Sequence, residues 1–437
     1  MRVMKDSGVE WIGEIPDSWS VSRLKYCAVL NPKCDFSHLP ADAYVTFTPM
    51  ELVGYGHFQN NAESLKKLSG AYTPFQDGDI ALAKVTPCFE NGKIAIMTGL
   101  HSGVGFGSSE LFVIRAVEIN TQFLFYFLQN EGFKDVACST MTGTGGLKRV
   151  SPDFVHNCPI AIPSLTEQQR IAAYLDEQCG EIDKVLAKTR ESIEEYKKLK
   201  QSVITEAVTK GIRPNRPMKP SGIEWIGDIP EGWEVRPFRT ILTERNEKNL
   251  PAKTEERLSL SIDLGVTKYA EKTTNLDRFK EDVTQYKLAY PGDLVMNSMN
   301  MIVGAVGVSP YFGCVSPAYY TYYDKSSSGV AARFCDFLFR TRIMRRVLRS
   351  LGKGIYSIER GDDRVNTCRL KVAREDLRAL KIPLPSETEQ TEIVAHLDQQ
   401  CAEIDRLIAK KEQIITELES YKKSLIYECV TGKLEVE

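Results

Sequence analysis

Ser7–Trp19 reads SGVEWIGEIPDSW and Ser221–Trp233 reads SGIEWIGDIPEGW, with nine of the thirteen positions identical. A second pair follows: TEQQRIAAYLDEQCGEIDKVLAK from Thr166, and TEQTEIVAHLDQQCAEIDRLIAK from Thr388. The stretches between these repeats hardly resemble each other. A shared frame therefore occurs twice and carries two different inserts. Such a repeat must be recognised before any fold is assigned. The arrangement suits a protein that does one job at two places with different specificity.

Each second repeat opens a long helix. Ile171, Leu175, Cys179, Ile182, Leu186, Ile193, Tyr196, Val203 and Ala207 recur at spacings of three, four and seven, a heptad-like stripe with charged flanks. Ser164 or Thr166 is the expected N-cap, and Gly211 and Pro214 close the helix. Gly180 lies inside it, where it weakens the helix slightly. The stripe returns without a gap 222 residues later, at Ile393, Leu397, Cys401, Ile404, Ile408, Ile415, Leu418, Leu425 and Cys429. Two helices with one stripe can bury it on each other as an isologous, antiparallel contact. Ile171, Leu175, Ile182, Leu186, Ile193, Ile393, Leu397, Ile404, Ile408 and Ile415 are assigned to that packing. The period is equally met if each helix packs on a separate partner.

The inserts read as β-rich. In the first, YVTFTPM from Tyr44, DIALAKV from Asp79, KIAIM from Lys93 and ELFVIRAV from Glu110 are short strands punctuated by turn residues. TQFLFYFLQNEGF from Thr121 has helical spacing. The second insert answers with strands at RLSLSID (Arg257) and DLVMNSM (Asp293) and a helical stretch from Ala332. The expected fold is α+β: two β-rich domains, residues 1–163 and 214–385, alternate with helices at 164–213 and 386–437. The helices would form an antiparallel coiled-coil spine, pseudo-two-fold and near-circular.

Composition sets bounds. A chain of 437 residues holds two to four domains. It is 42% hydrophobic and 26% charged, as globular proteins are. No apolar run reaches membrane-spanning length, and the N-terminus has no apolar core of signal-peptide length. Eleven scattered cysteines, without a CxxC pair or Cys/His cluster, fit a reducing cytoplasm and no metal site. The net charge of −2 conceals a division. Residues 333–378 hold thirteen Lys/Arg against six Asp/Glu, whereas residues 387–437 hold six against twelve.

The repeated SGVEWIGEIPDSW, the turn and strand DGDIALAKVTP, and IAIPSLTEQQRIAAYLD running into a long helix resemble the specificity (S) subunit of type I restriction–modification systems. The resemblance covers essentially the whole chain, and the ABAB order is more specific than any single motif. It implies that each variable domain is a target-recognition domain reading one half of a bipartite, asymmetric sequence in double-stranded DNA. It also implies that the helices set the spacing of the halves and dock two methyltransferase (M) subunits. Restriction/translocase (R) subunits would join them for adenine methylation or ATP-dependent restriction.

Candidate DNA-binding residues follow from donor and acceptor chemistry. In the first domain the loop Lys84–Lys93 offers Lys84, Thr86, Asn91 and Lys93. A Gly-rich stretch offers Thr142, Thr144, Lys148 and Arg149. Their counterparts are Asn297, Ser298 and Asn300, then Lys353, Tyr356, Ser357 and Arg360, with Arg364, Asn366 and Arg369 following. Arg340, Arg342, Arg345, Arg346 and Arg349 crowd one helix and offer phosphate contacts. All four tryptophans, Trp11, Trp19, Trp225 and Trp233, lie in the repeated openings. Because the frame repeats while specificity should differ, they are assigned to packing.

An enzyme is the competing reading, and the motifs speak against it. Asn157-Cys158-Pro159-Ile160 lacks the second proline and the aromatic of a methyltransferase motif. Gly103-Val104-Gly105-Phe106-Gly107 is too weak for a cofactor loop, and no GxxxxGK[ST] phosphate loop is present. No catalytic residue, cofactor or metal is therefore expected. A plain coiled-coil scaffold would gain nothing from two different inserts.

Overall fold

The computed structural model describes residues 2–436 apart from 69, 71, 145, 263, 273–281, 327 and 355–369. It divides into two compact units, Met1–Arg190 with Glu412–Glu437, and Glu191–Lys411. Each unit contains one β-rich insert and a piece of both long helices, Leu165–Lys210 and Glu387–Val430.

In the first unit one sheet runs in the order Ala28–Leu30, Leu111–Ala116, Ile80–Ala83, Ile94–Ile96. The strand IALA is buried on both faces. Alternation sends Ile80 and Leu82 into the core around Trp19 and Phe123, while Ala81 and Ala83 meet Phe75 and Met97. A second sheet orders Asn61–Ser64, Tyr44–Thr48, Val104–Gly107, Thr73–Gln76. The second unit repeats the first sheet as Thr243–Glu244, Tyr319–Tyr323, Leu294–Asn297, Val306–Val308. Leu294 and Met296 face the large core there, and Val295 faces a smaller one.

The turn entering the central strand is held alike in both units. Gly78 and Gly292 have φ of 88° and 89°, a region that favours glycine. Asp79 accepts from the Gln76 amide at 2.8 Å, and Asp293 from the Tyr290 amide at 2.9 Å. Each buried carboxylate also takes a bidentate arginine. Arg115 reaches Asp79 from the adjacent strand at 2.7 and 2.8 Å. Arg245, just after Glu244, reaches Asp293 at 2.6 and 3.0 Å.

The helices start alike as well. Ser164 accepts from the Glu167 amide and Ser386 from the Glu389 amide, both at 3.3 Å, so serine rather than threonine is the cap. Within the first unit Lys422 meets Asp183 at 2.7 Å and Arg190 meets Glu419 at 2.6 Å, so the two helix pieces run antiparallel. Within the second, Lys200 meets Asp405 at 2.6 Å. Asp183 and Lys422 lie 222 residues before and after Asp405 and Lys200, so one pair is the repeat of the other. Ile171, Leu175, Ile182, Leu186, Ile193, Ile393, Leu397 and Ile404 are buried, and Ile415 packs on the first unit's core. Ile408 is half-buried.

The opening repeats close each unit. Trp19 and Trp233 are 1% and 0% exposed. Burying an indole removes roughly 150–250 Å² from water, worth roughly 4–6 kcal/mol as an upper bound. Trp19 Nε1 donates to Glu167 at 3.1 Å, and Arg2 pairs with the same carboxylate. In the second unit Arg216 pairs with Glu389 and lies 5.9 Å from the Trp233 ring. The glycine ending the other helix completes each contact. A Cβ on Gly432 would stand 3.2 Å from Trp19, and one on Gly211 would stand 3.4 Å from Trp233. Each indole is thus fixed between the start of one long helix and the end of the other. The chain's last residues accordingly sit on its first, with Tyr427 donating to the Trp11 carbonyl at 3.1 Å.

Candidate nucleic-acid interface

In the first unit the structure brings the two candidate loops together. The Thr86 amide donates to the Lys148 carbonyl at 2.9 Å, and Thr86 Oγ1 accepts from the Lys148 amide at 2.8 Å. Thr142 and Arg149 exchange backbone bonds at 3.1 and 2.9 Å, closing the Gly-rich stretch into a hairpin. Phe89, 1% exposed, anchors the other loop in the core. Asn91, Thr142, Thr144 and Lys148 are exposed. Lys148 has no ion-pair partner among the described residues. Other candidates are committed internally. Lys93 donates to the Met50 carbonyl at 2.7 Å. Lys84 is half-buried, 5.6 Å from the Phe112 ring. Arg149 forks onto Glu110 with two contacts of 2.8 Å, and that hydrogen bond holds the Glu110 carboxyl below its usual value.

The second unit is less open at the expected turn. Asn297 and Ser298 are 6% and 0% exposed. Asn297 Oδ1 caps the turn, accepting from Met299 and Asn300 amides at 3.0 and 3.3 Å. The Ser298 carbonyl accepts from the Val372 amide at 3.0 Å. Both DNA-binding candidates are thus buried here, where Asn297 Oδ1 and the Ser298 carbonyl hold the turn. Asn300 is exposed, and beside it Met299 and Val303 present apolar surface. Lys353 is exposed and paired with Asp376 at 2.9 Å. Tyr356, Ser357, Arg360, Arg364, Asn366 and Arg369 lie outside the described residues.

The arginine-rich segment is two helices, Val330–Arg340 and Arg342–Leu351, divided at Thr341. Arg340 is turned inward, donating to the Val306 carbonyl at 2.7 Å and pairing with Asp336 at 2.9 Å. It therefore does not belong with the others. Arg342, Arg346 and Arg349 are exposed and Arg345 is half-buried. Burial, then the charges of Arg342 and Arg349, push the Arg345 guanidinium below its ordinary value.

One basic feature has no periodic signal in the sequence. A depression of about 440 Å³ is lined by Pro317, Tyr320, Lys353, Lys371 and Arg374, with Glu375 as its one acidic residue. Lys287, buried beneath the Tyr320 ring, donates to the Tyr319 carbonyl at 2.9 Å, and burial lowers its pKa. Strand pairing and helix packing assemble these residues from distant positions, which spacing cannot reveal. Among the described residues no cluster of three or more His, Cys, Asp or Glu could hold a metal ion. The ten described cysteines are unpaired. No described helix is long and apolar enough to cross a membrane.

Comparison with known proteins agrees with this architecture. Residues 39–195 match the type I restriction modification DNA specificity domain. The type I restriction enzyme EcoAI specificity subunit of Escherichia coli is 35% identical over 196 residues, 44% of this chain but only 33% of that protein. The EcoEI specificity subunit of the same organism is 34% identical over the same shares. The chain thus spans about a third of the length of these two relatives. A putative type I restriction enzyme MjaX specificity subunit of Methanocaldococcus jannaschii is 23% identical across 97% of this chain and 96% of that one. Two solved structures share the fold. A chain from a type I R-M system structure has a TM-score of 0.71 at 18% identity, covering 96% of this chain and 99% of its own. The HsdS subunit from Thermoanaerobacter tengcongensis has a TM-score of 0.53, also at 18% identity, covering 96% and 98%. The chain is thus similar to type I restriction enzyme specificity subunits, and residues 39–195 match the specificity domain itself.

Proposed function

We propose that this chain is the DNA sequence-recognition subunit of a type I restriction–modification complex. Each β-rich insert reads one half of a bipartite, asymmetric target in double-stranded DNA. The long helices set the distance between the halves and dock two methyltransferase subunits. Partner subunits carry out adenine methylation or ATP-dependent restriction, and the chain itself is not catalytic. The boundaries read from the sequence, residues 1–163 and 214–385 for recognition and 164–213 and 386–437 for spacing, go with this division of labour, in the cytoplasm.

One observation carries the reading. The contacts that repeat hold the frame together: Asp79 and Asp293 under their turns, Trp19 and Trp233 against the helices, Asp183–Lys422 and Asp405–Lys200 between the helices. What faces outward does not repeat: Asn91, Thr142, Thr144 and Lys148 in one unit, Met299, Asn300 and Val303 in the other. Repeated support beneath differing exposed donors and acceptors is what two half-sites of different sequence require.

The test is methyl transfer from labelled adenosylmethionine to duplex DNA. The purified chain alone should transfer nothing, and adding the cognate methyltransferase subunits should produce sequence-dependent transfer. Transfer by the chain alone would overturn the non-catalytic assignment. Sequence-independent transfer by the complex would overturn the recognition role.

A further inference from the structure

The helices Glu131–Ser139 and Arg342–Leu351 occupy the same place in their two units. Each follows a capping residue. Asn130 Oδ1 accepts from the Phe133 amide at 2.9 Å, and Thr341 Oγ1 accepts from the Met344 amide at 3.2 Å. Their inward residues correspond one for one: Phe133 with Met344 and Ala137 with Leu348, all 0% exposed. Even the serine near each end repeats, Ser139 donating to the Val136 carbonyl at 2.7 Å and Ser350 to the Val347 carbonyl at 2.8 Å.

The outward face does not correspond. Its first, fourth, fifth and eighth positions are half-buried Glu131, Lys134 and Cys138 with exposed Asp135 in the first unit, and Arg342, Arg346 and Arg349, all exposed, with half-buried Arg345 in the second. The first face is neutralised locally, since Glu131 pairs with Lys134 at 3.0 Å and with Lys423 at 3.5 Å. The second has no carboxylate on any of its four arginines among the described residues. Residues three and four apart are neighbours on a helix, and like charges there are destabilising. Four arginines on one ten-residue helix therefore stand without a counter-charge among the described residues. Arg345 fixes the face in place. Its side chain packs beside Gly304, and its guanidinium reaches the Val303 carbonyl at 3.4 Å, at the turn that exposes Met299 and Asn300. From its first to its eighth residue the face runs about 10 Å at about 1.5 Å per residue. Phosphates on one DNA strand repeat about every 3.4 Å along the axis, so the face matches about three of them.

We infer that Arg342, Arg345, Arg346 and Arg349 grip the sugar–phosphate backbone of the second half-site, a contact the first unit does not make. This rests on the DNA-recognition reading above. The two halves of the target are then held by different physics. The second unit supplies a sequence-independent electrostatic grip, and the first relies on its paired loops. Phosphate contacts carry no base information, so losing the grip weakens every second half-site alike.

The experiment uses the full chain assembled with its methyltransferase subunits. Binding to a fluorescent cognate duplex is followed from 50 to 200 mM salt, for the parent and for Arg342→Gln/Arg346→Gln/Arg349→Gln. The slope of log affinity against log salt should fall by about 0.9 per arginine removed. The fall should be the same on a duplex whose second half-site is scrambled. Arg342→Lys/Arg346→Lys/Arg349→Lys should keep the parent slope, which separates lost charge from a disturbed helix. An unchanged slope in the glutamine variant, with or without loss of subunit assembly, overturns the grip. So does a loss confined to one base sequence. A parent complex that binds no duplex overturns the recognition reading itself, whereas a parent that binds and a glutamine variant that keeps its slope overturn this assignment alone.

Discussion

Replacing one glycine by alanine should have opposite consequences at two places in the long helices. Gly432 has φ of 72°, and a Cβ there would stand 2.3 Å from the Pro16 ring and 3.2 Å from Trp19. The left-handed backbone costs an alanine about 1–2 kcal/mol. Trp19, 1% exposed, has no room to retreat, and overpacking of that kind costs about 1–3 kcal/mol more. Gly432→Ala should therefore destabilise the first unit by about 2–5 kcal/mol. Gly180, by contrast, lies in a helix interior where a Cβ meets nothing within 4 Å. The second helix carries Ala402 at the equivalent position. Gly180→Ala should stabilise by about 1 kcal/mol, the helix-propensity difference. With two units present, a single unfolding midpoint is a poor readout, and amide hydrogen exchange resolved along the chain is the suitable assay. In Gly432→Ala the amides of Ile12–Trp19 should exchange roughly thirty-fold faster or more, at about 1.4 kcal/mol per tenfold, while those of Ile226–Trp233 keep their rates. Equal exchange in both openings, or a loss of stability in Gly180→Ala, would refute the reasoning that Trp19 is clamped by the helix end.

Three other predictions follow from the same contacts. Asp79→Ala leaves Arg115 half-buried and unpaired and should cost about 3 kcal/mol, the low end for a broken buried pair because Arg115 is 25% exposed. Asp79→Ala/Arg115→Met should recover much of that loss, and a double variant as unstable as the single would contradict it. Glu110 titrates below its usual value in the fold, so its contribution is present above the unfolded pKa and fades as pH falls through the folded one. Arg149→Gln should move the Glu110 carboxyl resonance midpoint up towards about 4.5, and an unmoved midpoint would show that the fork is not its cause. Removing one heptad from each long helix should change the tolerated spacer between half-sites while leaving the half-sites themselves unaltered, and an unchanged spacer would sink the ruler role.

Much of the frame was legible because it is periodic or repeated. The stripe from Ile171 to Ala207 marked a helix over nearly its true length, and strands at Tyr44, Asp79, Glu110 and Asp293 emerged where alternation and turn residues placed them. A repeated residue cannot carry divergent information, which assigns the tryptophans to packing, and Trp19 and Trp233 are buried. The helix breaks at Asn130 and Thr341 were missed, although a residue that prefers to cap, set within a helical pattern, was the available signal. The site was less legible. Donors and acceptors look alike in sequence whether they face water or serve the fold. Only the structure shows Asn297 capping its own turn, Lys93 bonded to Met50, and Arg149 forked onto Glu110. Partners about forty residues apart, as Lys93 and Met50 or Arg149 and Glu110 are, leave no local trace, whereas the helical spacing of Arg342, Arg345, Arg346 and Arg349 is readable in the sequence and the inward turn of Arg340 is not.

The most direct test of the account is a map of methylated bases in cells expressing this chain with its methyltransferase subunits. A bipartite asymmetric motif with a fixed gap is predicted. Exchanging residues 20–160 for those of another specificity protein should change one half of it and leave the other half and the gap intact. A continuous motif, or a change in both halves, would contradict the claim that each insert reads its own half-site.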